Sequence, residues 1–404
     1  MLDNNAVNVL EAVYHSDSRK LYSRLVRALN DFDAAEDALQ DAVIEAVRQW
    51  PEHGVPDNPA GWLYKVAKFR GIDHLRRKRR LAPLAEYEAV TSDYYQEIGD
   101  ELLRLVFTCC HPAISPDAQI ALTLREVCEL TTEEIARAFL TPVPTIAQRI
   151  VRAKSKIREA RIPFEVPAKE DLPDRLNPVL KTIYLVFNEG YSSSSGENLM
   201  RPDLMSLAIH LARQLLDLLP EPETMGVLAL MLLHKARSST RIDPQGDIVL
   251  IQDQDRSLWD RGLISQAGEL VAHALRSGRF GPYTLQAAIA ALHAEAPSFT
   301  ETDWGEIVGL YDLLVSIERS PVAELNRAVA VAMRDGIPAG IVLIDQLVSA
   351  GELQNYHLTY AARAALYFRS GDFSKARVDY LSALEHANQE PERRRIQRCL
   401  DGIP

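Results

Sequence analysis

Helix-start signals recur along the whole chain, and no segment alternates apolar with polar residues over the length a half-buried strand needs. Together these confine the fold to packed helices, and the expected fold class is all-α. Asp33-Ala-Ala-Glu36 and Thr131-Thr-Glu-Glu134 read as capping boxes. Asn58-Pro59, Ser115-Pro116 and Ser320-Pro321 set a capping side chain before a proline at the first helical position, where the missing N–H costs nothing. With 404 residues, 47% of them apolar, the chain can bury more than one core, which excludes wholesale disorder. Its 4 cysteines are too few and too irregularly spaced for a disulfide framework. The N-terminus lacks the basic and apolar regions of a signal peptide, and the longest apolar run, 225–233, is too short to cross a bilayer. The expectation is a cytoplasmic protein with no membrane partner.

Charge is uneven. The net charge is −11, yet residues 76–80 are all basic. Such a block repels itself unless something negative lies against it. Residues 1–161 carry 22 Lys and Arg against 24 Asp and Glu; the remainder carries 23 against 32. The pattern divides the chain into a helical unit at 8–80 ending in the basic run, an acidic, Tyr-rich linker at 81–100, and a second helical unit at 101–161. A proline-punctuated joint over 162–178 then leads into a long helical remainder, 165–404.

Residues 131–160 predict a capped short helix, a tight proline-containing turn and a longer helix. On the helical period Ile146, Ile150, Ala153 and Ile157 share the face that packs, and Thr145, Gln148, Arg149, Arg152 and Lys156 share a neighbouring polar stripe. Short polar groups near a helix N-terminus suit base edges, and arginines suit guanine or phosphate. The pair therefore reads as a helix-turn-helix rather than a hairpin with a charged outer face, with Lys154 and Arg158 pointing elsewhere, toward backbone contacts. In 51–80, aromatic Trp62, Tyr64 and Phe69 interleave with Lys65, Lys68 and Arg70, a composition that suits single-stranded DNA. Trp62, Val66 and Phe69 also lie at core spacing, so for any one aromatic packing is the expected role. The preceding helix, 31–50, carries acids beyond its first turn, where the helix dipole does not favour them, and these suit a basic protein partner.

In this order and spacing, AEDALQDAVIEAVRQW (35–50), GWLYKVAKFRGIDHLRRKRR (61–80) and the 131–160 helix pair resemble bacterial sigma factors of the extracytoplasmic-function group. The resemblance covers about residues 8–161. It implies RNA polymerase core (β and β′ subunits) and promoter DNA as partners, with no cofactor, no metal and no catalysis. It assigns polymerase docking to Glu36, Asp37, Gln40 and Asp41, and −10 recognition and melting to Asp57, Asn58, Trp62, Lys65, Lys68, Arg76 and Arg77. It assigns −35 recognition to Thr145, Gln148, Arg149, Arg152 and Lys156. Ala147 and Pro144 depart from the usual pattern of that helix.

The remainder resembles a helical extension. Tyr360, Ala364, Tyr367, Gly371, Phe373, Ala376, Tyr380 and Ala383 follow a tetratricopeptide spacing, and Leu325 to Gly336 form a poorer copy, so tetratricopeptide-like repeats are expected at about 322–390. The resemblance implies a regulatory role for this extension, through a protein partner or an intramolecular contact. The polar residues of 184–262, among them His234, Asp243, Asp253, Asp255 and Arg256, read as a network that ties the extension together or docks it; an enzymatic cluster is the alternative. Ser192–Ser195 reads as a turn or an anion or phosphorylation site, and Cys109, Cys110 and Cys128 match no zinc spacing. A stand-alone helix-turn-helix regulator with a sensing tail is the competing function, and the acidic 31–45 helix argues against it.

Overall fold

A computed structural model describes residues 4–79, 101–139, 141–168, 170–192, 200–387 and 389–404. The acidic 81–100 stretch and Ser193–Ser195 lie outside them. The described residues form eighteen α-helices and no strand beyond one isolated bridge, Ile242 to Ile248. They divide into two compact units, Met1–Val186 and Phe187–Pro404.

The first unit opens with α1 (Asn4–Leu29), α2 (Phe32–His53) and α3 (Pro59–Arg79). Asp31, extended at φ −157°, caps α2 by accepting the Ala34 N–H at 3.0 Å. The capping residue thus lies two positions before the expected Asp33, which sits exposed in the first turn. Ala35, Ala38, Ala42 and Ala46 bury one face of α2, small enough for α1 and α3 to approach. Asn58 caps α3, its Oδ1 accepting the Gly61 N–H at 2.9 Å, with Pro59 opening the helix as expected. Next come α4 (Glu101–Cys109), α5 (Pro116–Glu126), α6 (Thr132–Ala138) and α7 (Val143–Glu159). The predicted capping box closes α6 reciprocally: Thr131 N–H donates to Glu134 at 2.7 Å, and Glu134 N–H to Thr131 Oγ1 at 3.2 Å. Ile146, Ile150, Ala153 and Ile157 are the buried residues of α7. The first part of α8 (Leu172–Tyr191) completes this unit; Thr182 reaches Cys110 at 3.3 Å, so the cysteine is packed in a core.

The second unit contains α9 (Pro202–Leu218), α10 (Pro222–Ala236), α11 (Arg261–Arg276), α12 (Pro282–Glu295), α13 (Trp304–Ile317), α14 (Pro321–Asp335), α15 (Ile337–Ser349), α16 (His357–Ser370), α17 (Phe373–His386) and α18 (Glu390–Asp401). α10 is buried on nearly every side. Glu223 in its first turn serves α12: its carboxylate accepts the N–H groups of Gly281, Tyr283 and Thr284 at 2.9 to 3.0 Å and the Thr284 hydroxyl at 2.7 Å. Gly226, one turn on, lets α10 and α12 touch; a Cβ there would stand 2.5 Å from the Thr284 nitrogen. Further along, Ala364, Ala376 and Ala383 are fully buried between α16 and α17, so the small residues of the tetratricopeptide pattern do the close packing. Arg363 pins the same pair, forking onto Asp379 at 2.7 and 2.8 Å and reaching Asp345 on α15 at 2.7 Å.

Several side chains of the polar 237–260 segment tie the unit together. Arg256 donates to the carbonyls of His293 and Ala296 at 2.6 and 2.7 Å, and Trp259 donates to Thr240 at 2.9 Å. Arg394 and Arg398 of α18 hold Asp247 at 2.6 and 3.2 Å. Asp255 caps a short turn at Ser257, so the acids and His234 do not gather into one cluster. Burial, with Arg237 and Arg256 nearby, pushes His293 down to about 4.

Two outcomes are expected. Gly226→Ala forces α10 from α12 at a cost of about 1–3 kcal/mol, read as a lower urea midpoint. His293 stays neutral in the folded state while the unfolded chain takes up a proton below pH ~6.5. Stability therefore falls as pH drops from ~6.5 to ~4, by on the order of 3 kcal/mol, and His293→Phe flattens that slope in denaturant titrations at several pH values.

Candidate nucleic-acid and protein interface

Three faces of the first unit carry the residues singled out above. On α2, the core takes Ala35, Ala38, Leu39, Ala42 and Ala46, which leaves Asp37, Gln40 and Asp41 fully exposed. Ile44 and Val47 continue this face at 66% and 45% exposure. Two aliphatic side chains in water beside two unpaired carboxylates form a surface suited to another protein with a cationic, part-apolar face. Glu36 sits at its edge, half-buried, 3.5 Å from Arg125 of α5. Sequence reasoning passed over Ile44 and Val47, although both fall off the alanine period of the buried face.

On α3 the buried positions are Leu63, Ala67 and Gly71, one step from the face predicted to pack. Trp62 is partly buried against Trp50, ring centroids 5.6 Å apart and edge to face. Phe69 is 73% exposed, which corrects its expected core role. Together with Gly61, Tyr64, Lys65, Lys68 and Ile72, it lines a shallow groove of mixed apolar and cationic character. Arg24 of α1 stacks on Tyr64 with its guanidinium carbon 4.7 Å from the ring centre. Arg76 and Arg77 are exposed, and Arg77 bonds Asp73 one turn back at 2.6 Å. Asp57 and Asn58 lie exposed in the turn before α3. An exposed ring between lysines, at the start of a basic stretch, supplies the stacking and charge that a single strand takes up.

On α7, Thr145, Gln148, Arg152 and Lys156 are exposed along one stripe, and Arg149 beside them bonds Asp117 of α5 at 3.3 Å. Lys154 and Arg158, expected to point toward the DNA backbone, engage acids of the same unit. Lys154 lies 3.0 Å from both Glu126 and Asp33, and Arg158 lies 3.2 Å from Asp33 and 3.5 Å from Asp31. They hold α7 to the first turn of α2. Burial opposes the Lys154 charge, but Glu126 and Asp33 outweigh it and raise the ammonium above its usual range. Glu126 is 5% exposed and also accepts the Tyr22 hydroxyl; burial first, then this carboxylate, push Tyr22 well above the usual phenol range. Arg27 meets the buried Glu101 at 2.7 Å, and Ser18 reaches Glu129 at 3.1 Å, so α1 grips the same half of the unit.

Among the described residues no group of three His, Cys, Asp or Glu side chains could hold a metal, and no helix is long and apolar enough to cross a membrane.

Residues 13–81 match the family model of sigma-70 region 2, and residues 104–157 that of sigma-70 region 4. Residues 175–275 match a family of unknown function (DUF6596). The chain is 43% identical to an uncharacterized protein of Rhizobium meliloti over 94% of this chain and 92% of that one. It is 28% identical to the RNA polymerase sigma-H factor of Pseudomonas aeruginosa over 40% of this chain and 89% of that one. It is also 28% identical to the ECF RNA polymerase sigma-E factor of Escherichia coli, over 38% of this chain and 86% of that one. No solved structure matches.

The α2–α5–α7 junction makes a graded prediction. Glu126→Gln takes the buried acid from both Lys154 and the Tyr22 hydroxyl, leaving Lys154 only the exposed Asp33, and costs about 3–5 kcal/mol, whereas Asp33→Asn, at the exposed rim, costs less than about 1 kcal/mol. Guanidinium unfolding of the two variants measures the ratio.

Proposed function

The chain belongs to the extracytoplasmic-function group of sigma-70 factors, in the form that carries a C-terminal helical extension, and from that membership we propose a division of labour among its three exposed faces. As an RNA polymerase sigma factor acting in the cytoplasm, it binds core polymerase through the outer face of α2: Asp37, Gln40 and Asp41, with Glu36 at the rim and Ile44 and Val47 as apolar anchors. The turn at Asp57 and Asn58 and the α3 face with Trp62, Lys65, Lys68, Arg76 and Arg77 take the −10 element, to which Phe69 adds a stacking surface. The α7 stripe of Thr145, Gln148, Arg149, Arg152 and Lys156 reads the −35 element from the major groove. The extension regulates these steps.

The observation that carries this reading is the exposed α2 face. Glu36 and Glu45 of this helix meet cations, whereas Asp37 and Asp41, beyond the reach of the helix dipole and beside exposed aliphatics, meet none among the described residues. A regulator acting on duplex DNA alone has no use for them.

Reversing both charges, Asp37→Lys with Asp41→Lys, abolishes capture of core polymerase while circular dichroism stays unchanged; undiminished capture removes the docking assignment. Arg152→Ala weakens −35 dependence in run-off transcription by about 1–3 kcal/mol if the contact is to a base. Arg149→Ala acts less, because its guanidinium already engages Asp117. Comparing the full chain with residues 1–191, which keep α8 whole, gives the sign of the extension's effect; identical transcription by both removes its regulatory role.

A further inference from the structure

Near the start of the second unit two arginines lie partly buried with no carboxylate of the described residues in contact. Arg241 donates to the Tyr191 carbonyl and holds its guanidinium carbon 4.0 Å from the centre of the Tyr191 ring. Arg237 approaches the same ring to 5.9 Å and donates to His234 Nδ1 at 3.2 Å. The rings of Tyr191 and His234 are 5.1 Å apart. Arg237, Arg241 and His234 therefore crowd one ring, that of Tyr191.

Arg363, also partly buried in this unit, meets Asp379 and Asp345. Arg256 and Arg393 give their protons to backbone carbonyls instead, at 2.6 to 2.9 Å. Arg237 and Arg241 pair with no described acid, and unlike those two they lie against one and the same ring. The carboxylate whose field reaches Arg241 is Glu392, and it lies 3.1 Å from His357. Two cations held together out of bulk water repel each other and lose hydration unless something negative joins them.

The surrounding groups are donors as well. An arginine can only donate, so His234 Nδ1 is the acceptor and the neutral ring carries its proton on Nε2. Burial, with Arg237 and Arg241 beside it, holds His234 well below the usual imidazole range, so it stays neutral. Tyr191 is 8% exposed, and its hydroxyl is buried with no hydrogen-bond partner. A buried phenol without a partner is a group waiting for an acceptor.

We propose that Arg237, Arg241, Tyr191 and His234 form a phosphate-binding site in the extension. A phosphate monoester brings two negative charges to match the two guanidiniums, and oxygens to accept from the forks, the phenol and the imidazole. A monocarboxylate would leave one cation uncompensated.

The test uses the full chain and inorganic phosphate as probe, followed by titration calorimetry and 31P NMR with ionic strength held constant by chloride. Saturable binding is expected. Arg237→Gln should weaken it by at least about tenfold, and Arg241→Lys, which keeps the charge and loses the fork, should weaken it as well. Arg327→Gln, at an exposed pair with Asp312 on another helix, should bind phosphate like the parent chain. Displacement of phosphate by O-phosphoserine or by adenosine monophosphate supports the site, the former pointing to a phosphorylated side chain and the latter to a nucleotide. No saturable binding by the unmodified chain overturns the proposal, as does parental affinity in both folded arginine variants, or failure of both esters to displace phosphate. Should Arg237→Gln fail to fold, the Arg241→Lys result and the parent titration decide.

Discussion

Glu126 is the charge on which the first unit turns. It is nearly excluded from water, at the end of α5, and would be intolerable there alone. Tyr22 of α1 gives it a hydroxyl proton to accept, and Lys154 of α7 gives it a counter-charge at 3.0 Å. One carboxylate thereby joins three helices that are remote in sequence. Around it run more exposed pairs, Arg158 with Asp31 and Asp33, and Arg125 with Glu36. These outer pairs contribute little energy in water. Their effect is orientation: with Lys154 already on Glu126, they commit Arg158 to the protein as well and leave Thr145, Gln148, Arg152 and Lys156 facing out.

The extension solves its packing differently. Its contacts depend on small residues that let helices approach, Gly226 against Thr284 and Ala364, Ala376 and Ala383 between α16 and α17. Where helices approach this closely, their ends need satisfied N–H groups, and Glu223 meets three of them at the start of α12. The acids of this unit are largely committed to such tasks, as with Asp247 under Arg394 and Arg398. Arg237 and Arg241 meet none of the described acids and lie together against the Tyr191 ring.

Much of this was legible in the residue order. The α6 capping box, the Asn58-Pro59 start and the buried face of α7 follow from local hydrogen bonding and a helical period, which neighbours seen only in three dimensions do not alter. Phe69 faces out because Trp62, Val66 and Phe69 and the buried Leu63, Ala67 and Gly71 both fit a helical period of three to four residues, and periodicity cannot say which of two adjacent stripes turns inward. The cap at Asp31 was missed in favour of Asp33 for a similar reason: either aspartate has the right chemistry, and only the backbone turn at Asp31 selects one.

What the sequence determined alone is the helical class, the two basic helices and the acidic face of α2, because each depends on residue type and spacing within one element. What only the tertiary structure decided is which charges remain available. Lys154 and Lys156 are chemically identical and two residues apart, yet one is bound to Glu126 and Asp33 while the other faces water. Likewise nothing in the order of residues distinguishes the paired Arg363 from Arg237 and Arg241. An ion pair is a relation between distant parts of the chain, and Coulomb attraction falls off too steeply with distance for anything but the folded arrangement to assign it.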